Sequence, residues 1–116
     1  MSYVSPAGRD KIAQWYEDLS TQERADADRF IDNVRKVRDW SWPDYTHLFS
    51  GIGELRWKSC NKQHRLLGFF SGEAWVVLHG CYHKGRTYTP HDSLETAKKR
   101  KGQIDRKEVA TVEFDL

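Results

Sequence analysis

The sequence has 116 residues, of which 13% are aromatic and 31% are charged, which suits one domain with a packed core. It contains no apolar run of about 18 residues, and its first residues lack an apolar signal-peptide core. We therefore expect neither a membrane span nor a secretory signal. Two cysteines, Cys60 and Cys81, make no disulfide framework, which favours a reducing, cytoplasmic location.

Positive charge is concentrated in the second half of the chain. Residues 1–50 carry 7 Lys and Arg against 9 Asp and Glu, residues 51–107 carry 12 against 5, and residues 108–116 carry none against 3. The basic block also contains four of the five histidines. Such a block is typical of a surface that attracts nucleic acid, and a solvated charged face would have the same composition.

The first 38 residues have the apolar spacing of two helices. Residues 6–19 carry one apolar stripe after Ser5, which can cap a helix, and Pro6, which suits the first helical position. The motif STQE at 20–23 is a capping box, which predicts a second helix to about Arg38. Because almost no loop separates the two, we predict an antiparallel helical hairpin over residues 6–38.

The middle of the chain has the alternation of strands. Residues 39–51 are predicted to be an irregular connector, because Pro43 opposes a helix there. Residues 53–59, 62–70 and 74–83 predict three consecutive strands, with the third central because it is apolar on both faces.

The end of the chain predicts one more helix and a tail. Thr89 and Pro90 indicate a helix over residues 90–107. The acidic tail, residues 108–116, alternates like a strand from Val109 to Phe114, and we expect it to pair with the sheet; a loose end that screens the basic face is the alternative. The residues before the first helix, MSYVSPAG, leave hardly any room for a strand. The order predicts one α+β domain over residues 1–116, with the N-terminal helical hairpin packed on a small antiparallel β-sheet and a C-terminal helix.

Basic side chains lie within the predicted strands themselves. The first strand should direct Leu55 and Trp57 into the core, and Arg56 and Lys58 to the other face. Arg65 shares its parity with Leu67, and a half-buried guanidinium needs a carboxylate or a phosphate partner. Two interpretations of Arg65 therefore remain open, a structural salt bridge, for instance to Glu54 or Glu73, and a phosphate-binding site.

The segment HGCYH at 79–83 places His79, Cys81 and His83 on one face, where nitrogen and sulfur ligands could hold zinc. Side chains two apart on one flat strand are roughly 7 Å apart, which suits few metal sites. We therefore favour ordinary sheet packing and predict neither a metal nor another cofactor.

The ordered segments LFSGIGELRWKS, HRLLGFFSGEAWVVLHGCYHK and TPHDSLETAKKRKGQ, after the paired helices, resemble the RelE/ParE toxin superfamily. The chain is most similar to its HigB-like branch of phage-derived proteins, over about residues 12–105. The resemblance implies a RelE-like fold and the toxin of a type II toxin–antitoxin system. Such a toxin cleaves mRNA, commonly at the ribosome, and a cognate antitoxin, here expected to be a helix-turn-helix protein, neutralises it.

The resemblance also implies which residues carry the reaction. Arg56 and Arg65 match arginines of the family's strands, and Lys84 matches the second lysine of a Lys-Lys pair; we expect all three to stabilise phosphate charge. His64 replaces the family's usual tyrosine and His83 its first lysine. The proposed reaction, attack of a ribose 2′-hydroxyl on the adjacent phosphate, also needs groups that carry protons. The candidates are His64, His83 and His91, and Tyr88 is an alternative that would act through a hydrogen bond.

Other basic residues are candidates for RNA binding, namely Lys58, Lys62, Arg86, Lys98 and Lys99. The oligomeric state is open at this point. The alternative to the toxin is a non-catalytic, phage-derived interaction module that keeps the toxin fold.

Overall fold

The computed structural model describes residues 2–5 and 8–112, without the side chain of Val112. Within these residues the chain forms three helices and seven strands, which are β1 (Ser2–Tyr3), α1 (Lys11–Glu17), α2 (Thr21–Arg35), β2 (Tyr45–Phe49), β3 (Ile52–Ser59), β4 (Lys62–Ser71), β5 (Ala74–Lys84), β6 (Thr87–Thr89), α3 (Ser93–Asp105) and β7 (Thr111–Val112). Six strands lie side by side in the order β2-β3-β4-β5-β1-β7, and β6 pairs with the last residues of β5. No helix in this part of the chain is long and apolar enough to span a membrane.

The predicted N-terminal helical hairpin is wrong. α1 begins only at Lys11, because the Asp10 carboxylate accepts hydrogen bonds from the first free backbone N–H groups; Pro6 and Ala7 lie outside the described residues. The capping box of Ser20 and Glu23 is confirmed and starts α2. The two helices bury their apolar stripes against the sheet instead of each other, since α1 packs on β5 and β1 while α2 packs on β3.

The prediction of a small antiparallel sheet is also wrong, because the sheet is mixed. β1 runs parallel to β5, with Ser2 opposite Val77, although we expected no strand before the first helix. A strand of two residues has no alternation that a sequence pattern could reveal. β7 pairs antiparallel with β1, which confirms that part of the tail joins the sheet. Glu113 and Phe114 lie outside the described residues.

The three predicted central strands are confirmed as β3, β4 and β5, with ends that differ by a residue. β5 is internal, between β4 and β1, as its two apolar faces indicated. The predicted connector contains β2, which the sequence analysis missed. The last helix is shorter than predicted, because α3 begins at Ser93 and ends at Asp105.

Each face of the sheet has its own core. On one face, α1 and α2 cover Leu55, Leu66 and Val77, together with the large ring of Trp75. On the other face, α3 covers a second apolar cluster, which is Ile52, Leu67, Phe69, Val76, Leu78, Cys81 and Ala97. α3 lies over one half of this second face, and the ends of β3, β4 and β5 that carry the basic residues extend past its core. That arrangement leaves room for a polar site on a sheet with helices on both sides.

Gly80 lets α1 approach β5 closely. A Cβ at this position would lie 2.4 Å from the indole ring of Trp15, which is rigid and packed against the core. We expect Gly80→Ala to lower the free energy of unfolding by about 1–3 kcal/mol, because the ring must shift. Urea unfolding measures this cost, and Trp15→Ala provides the matched background, in which it should largely disappear. An equal cost in both backgrounds would contradict the contact.

Candidate functional site

Two rows of side chains cross the open half of the second face. In the first row, Arg56 on β3 lies directly opposite Arg65 on β4, and Arg65 lies opposite Cys81 on β5. The second row is next to it and crosses four strands, through Lys58, Gln63, His83 and Tyr88. Residues opposite each other in neighbouring strands point to the same face, so the register alone brings these groups together.

One carboxylate holds the two arginines. Glu54 Oε1 lies 3.3 Å from Nε of Arg56 and 3.4 Å from Nε of Arg65. Glu54 and Arg65 are each only 3% exposed, so they form a buried ion pair. Glu54 is one of the two carboxylates that the sequence analysis named as possible partners of Arg65. Two guanidinium groups share one carboxylate, and the cluster of Glu54, Arg56 and Arg65 therefore keeps a net positive charge.

Further contacts fix the Arg65 guanidinium. Its Nη1 donates to the backbone carbonyl of His64 at 2.8 Å, and its Nη2 donates to Oε1 of Gln63 at 3.0 Å. Burial lowers the pKa of Arg65, and the nearby Glu54 carboxylate opposes that shift. With its planar fork held on three sides, this guanidinium has a single orientation.

Tyr88 and His83 complete the second row. The Tyr88 hydroxyl donates to Oε2 of Glu54, and burial together with this hydrogen bond raises the pKa of Tyr88 above its usual range. The His83 ring meets the Tyr88 ring edge-on, with centroids 4.2 Å apart. Burial and the positive charge of Arg65 lower the pKa of His83, so its imidazole is neutral at neutral pH and can accept a proton.

A groove of about 290 Å³ opens above these rows. Its lining includes Trp42, Arg56, Lys58, Gln63 and Arg65. The Trp42 ring covers the Arg56 guanidinium, whose Cζ lies 4.2 Å from the ring centroid. We refer to this region as the cationic groove.

His64 and Lys62 lie on the opposite face of the sheet. His64 is buried, stacks on Trp57 with centroids 5.6 Å apart, and places Nε2 3.1 Å from Oε2 of Glu23. Lys62 Nζ lies 3.6 Å from the same carboxylate oxygen. Burial lowers the pKa of His64, and Glu23 partly offsets that effect. These two residues therefore belong to the contact between β4 and α2, away from the cationic groove.

The remaining candidates do not line the cationic groove. Lys84 follows His83 on β5, so strand alternation directs it away from the face of His83. Arg86 is exposed in the turn between β5 and β6, and His91 is exposed between β6 and α3. Lys98 and Lys99 are exposed on α3, where Nζ of Lys98 lies 5.6 Å from the Phe49 ring centroid. The structure thus brings Arg56, Lys58, Arg65, His83 and Tyr88 together and leaves the others apart.

Two members of the site were missed by the sequence analysis, and a third was given only a structural role. Gln63 and Trp42 were not considered, and Glu54 was named only as a salt-bridge partner. The alternation of Glu54, Arg56 and Lys58 on one face of a strand, with Gln63 two residues before Arg65, was the available indication. No sequence pattern places Trp42, because the segment before β2 folds back onto β3 through the hydrogen bond from Arg56 N to the Asp44 carbonyl at 2.8 Å.

The three residues considered for zinc, His79, Cys81 and His83, contact other groups of the protein. His79 Nε2 lies 3.0 Å from the Ser93 hydroxyl, which itself donates to the Pro90 carbonyl, so the imidazole is the donor to Ser93. Burial raises the pKa of the Cys81 thiol to about 12. Among the described residues, no group of three or more His, Cys, Asp or Glu side chains is arranged to hold a metal ion.

Removal of the shared carboxylate should destabilise the fold. Glu54→Gln leaves two guanidinium groups without a counter-charge, one of them buried, and we expect it to lower the free energy of unfolding by about 3–5 kcal/mol. Urea unfolding gives the value, and the double variant Glu54→Gln with Arg65→Met is the control. It should be more stable than Glu54→Gln alone, because the unpaired buried charge is gone. A double variant that is less stable would contradict this account.

The protonation of His79 should make the fold sensitive to acid. Burial and the nearby Arg100 guanidinium lower the pKa of His79 to about 4, whereas an unfolded histidine titrates near about 6.5. Between these values the unfolded state binds more protons, so stability falls as the pH decreases, by up to about 1.36 kcal/mol per pH unit for this group. Denaturant unfolding from pH 7 to pH 4 should give a smaller decrease for His79→Gln than for the wild type. Equal decreases would contradict the assignment.

Comparison with known proteins identifies a family for most of the chain. The family model of phage-derived Gp49-like proteins (DUF891) matches residues 14–102, from α1 to α3, which includes the four strands of the site. No curated protein and no solved structure matches the chain. The Gp49-like family is associated with toxin–antitoxin modules. Because the match covers well over half of the 116 residues, the chain belongs to the phage-derived Gp49-like family.

Proposed function

We propose that this chain is the toxin of a type II toxin–antitoxin system of the RelE/ParE superfamily, HigB-like branch, and that it cleaves mRNA at the ribosome. The observation that carries the proposal is the pair of guanidinium groups that share one carboxylate at the base of an open groove. Such a cluster has excess positive charge at fixed positions, which suits a phosphate that gains charge during a reaction. Membership of a family associated with toxin–antitoxin modules supports it.

The proposed reaction is attack of a ribose 2′-oxygen on the adjacent phosphate, with loss of the 5′-oxygen of the next nucleotide. Arg56 and Arg65 would stabilise the charge on the phosphorane, and Lys58 would hold the neighbouring backbone. His83 is the first candidate for the base, because its lowered pKa leaves it neutral and it lies beside the arginines. The leaving 5′-oxygen would take its proton from water, because His91 is exposed beyond β6 and lies apart from this cluster.

Two other predicted members have positioning roles in this proposal. Tyr88 donates to Glu54 and so fixes the carboxylate that orients both arginines. His64 supports the same strand from the opposite face, where it contacts Glu23 of α2.

The electrostatic attraction for RNA would extend beyond the groove through four further basic residues, Lys84, Arg86, Lys98 and Lys99. A cognate helix-turn-helix antitoxin would neutralise the toxin.

A non-catalytic interaction module is the second candidate, and the contacts of Arg65 favour it. This guanidinium is almost fully buried, and its hydrogen bonds to Gln63 and the His64 carbonyl and its ion pair with Glu54 are all made within the protein. Arg56, whose side chain is 21% exposed, is then the group that an RNA phosphate meets first. The two candidates differ in whether induced expression damages mRNA.

Induction of the wild-type chain in growing bacteria should arrest growth and produce new mRNA ends, mapped by primer extension. Arg56→Ala should remove most of this effect, because loss of one transition-state contact lowers a rate by about 10²–10³. Arg65→Ala should do the same, and circular dichroism must show that each variant is folded. Lys36→Ala is the matched control, since it removes an exposed positive charge just after α2, where Lys36 pairs with Asp32. Wild-type chain that leaves growth and mRNA intact would favour the interaction module.

A further inference from the structure

Among the described residues, Trp42 is the most exposed large apolar side chain. It is 68% exposed, compared with 53% for Phe70 and 52% for Val37. Replacement of such an exposed indole removes no contact with the hydrophobic core. The hydrophobic surface of Trp42 is therefore not needed for folding. Its position at the cationic groove gives it a different use.

The Trp42 ring is held in place by its surroundings. One side of the ring covers the Arg56 guanidinium at 4.2 Å, and Arg56 in turn contacts Glu54. The loop that carries Trp42 is closed by a hydrogen bond from Tyr45 N to the Ser41 carbonyl at 2.9 Å, and it is attached to β3 by a hydrogen bond from Arg56 N to the Asp44 carbonyl at 2.8 Å. The indole is therefore a fixed plane beside two cations.

This combination of a fixed aromatic plane and nearby guanidinium groups matches the chemistry of single-stranded nucleic acid. Every nucleobase has a flat face that stacks on an aromatic ring, and its phosphate needs cations within one backbone unit. Arg56 is in contact with Trp42, and Arg65 lies directly opposite Arg56 on the next strand. A base on the indole would thus place its phosphate over the cluster.

We propose that Trp42 is a stacking platform for one nucleobase of single-stranded RNA, which sets the nucleotide whose phosphate meets Arg56 and Arg65. This inference rests on the proposed function and adds a substrate-positioning residue to it. Stacking does not depend on the identity of the base, so Trp42 supplies affinity and register. Arg56 is shared between the platform and the phosphate, which couples the two.

Binding is measured with a short 2′-O-methyl RNA, which cannot be cleaved because its 2′-oxygen is blocked. Stacking of a base on Trp42 should decrease tryptophan emission. This decrease should come mainly from Trp42, because the other four tryptophans are buried or partly buried. Trp42→Ala should weaken binding on the order of tenfold to a hundredfold. Trp42→Phe should retain most of the affinity and lose most of the decrease in emission. Phe70→Ala, which removes another exposed aromatic ring outside this groove, should change neither.

The salt dependence of binding distinguishes stacking from charge. Trp42→Ala removes no charge, so the slope of log affinity against log salt should stay the same, whereas Arg56→Ala should reduce it by about 1. RNA binding that depends on Trp42 in a chain without nuclease activity would leave this inference intact and defeat the proposed reaction. A folded Trp42→Ala with wild-type RNA affinity overturns the inference, even if the chain cleaves mRNA.

Discussion

Two arginines face each other across neighbouring strands, and the candidate site depends on the one carboxylate between them. Like charges directly opposite each other in a sheet repel, and the repulsion is stronger where water is excluded. Glu54 lies within 3.4 Å of both guanidinium groups, and Tyr88 fixes it from β6. The pairing of β3, β4, β5 and β6 is therefore tied to the site, because β3 and β4 supply the cluster and β5 connects them to β6, which supplies Tyr88.

Alternation along single strands was sufficient to predict the centre of the fold. Leu55 and Trp57 pack on the helices of one face, and Arg56 and Lys58 point to the other, as their parity indicated. The edges of the sheet could not be predicted in this way. β1 has two residues, and its parallel pairing with β5 joins positions 2 and 77, which no local pattern connects. The relation between α1 and α2 also depends on the sheet, because each helix packs on a different strand.

Sequence motifs group residues that a strand then separates. His64 is adjacent to Arg65, and Lys84 is adjacent to His83, so a motif treats each pair as one unit. Successive side chains of a strand point to opposite faces, and His64 accordingly contacts Glu23 of α2 while Arg65 contacts Glu54. The members that do meet are two residues apart or opposite each other in register. Only the pairing of β4 with β5 shows that Gln63 and His83 share a row.

The partial cover of α3 explains how a small sheet can carry charge near its middle. α3 packs on the apolar half of the second face, and the rows of Arg56 and Lys58 continue past it into the open groove. Complete cover would bury both arginines with one carboxylate, at a large desolvation cost. Open exposure would hydrate them and weaken their field. Arg65 is buried and Arg56 is partly exposed, so the cluster joins a fixed guanidinium to one that solvent can reach. Under the proposed function, an incoming phosphate would engage Arg56 first, while Glu54 and Gln63 keep Arg65 in place.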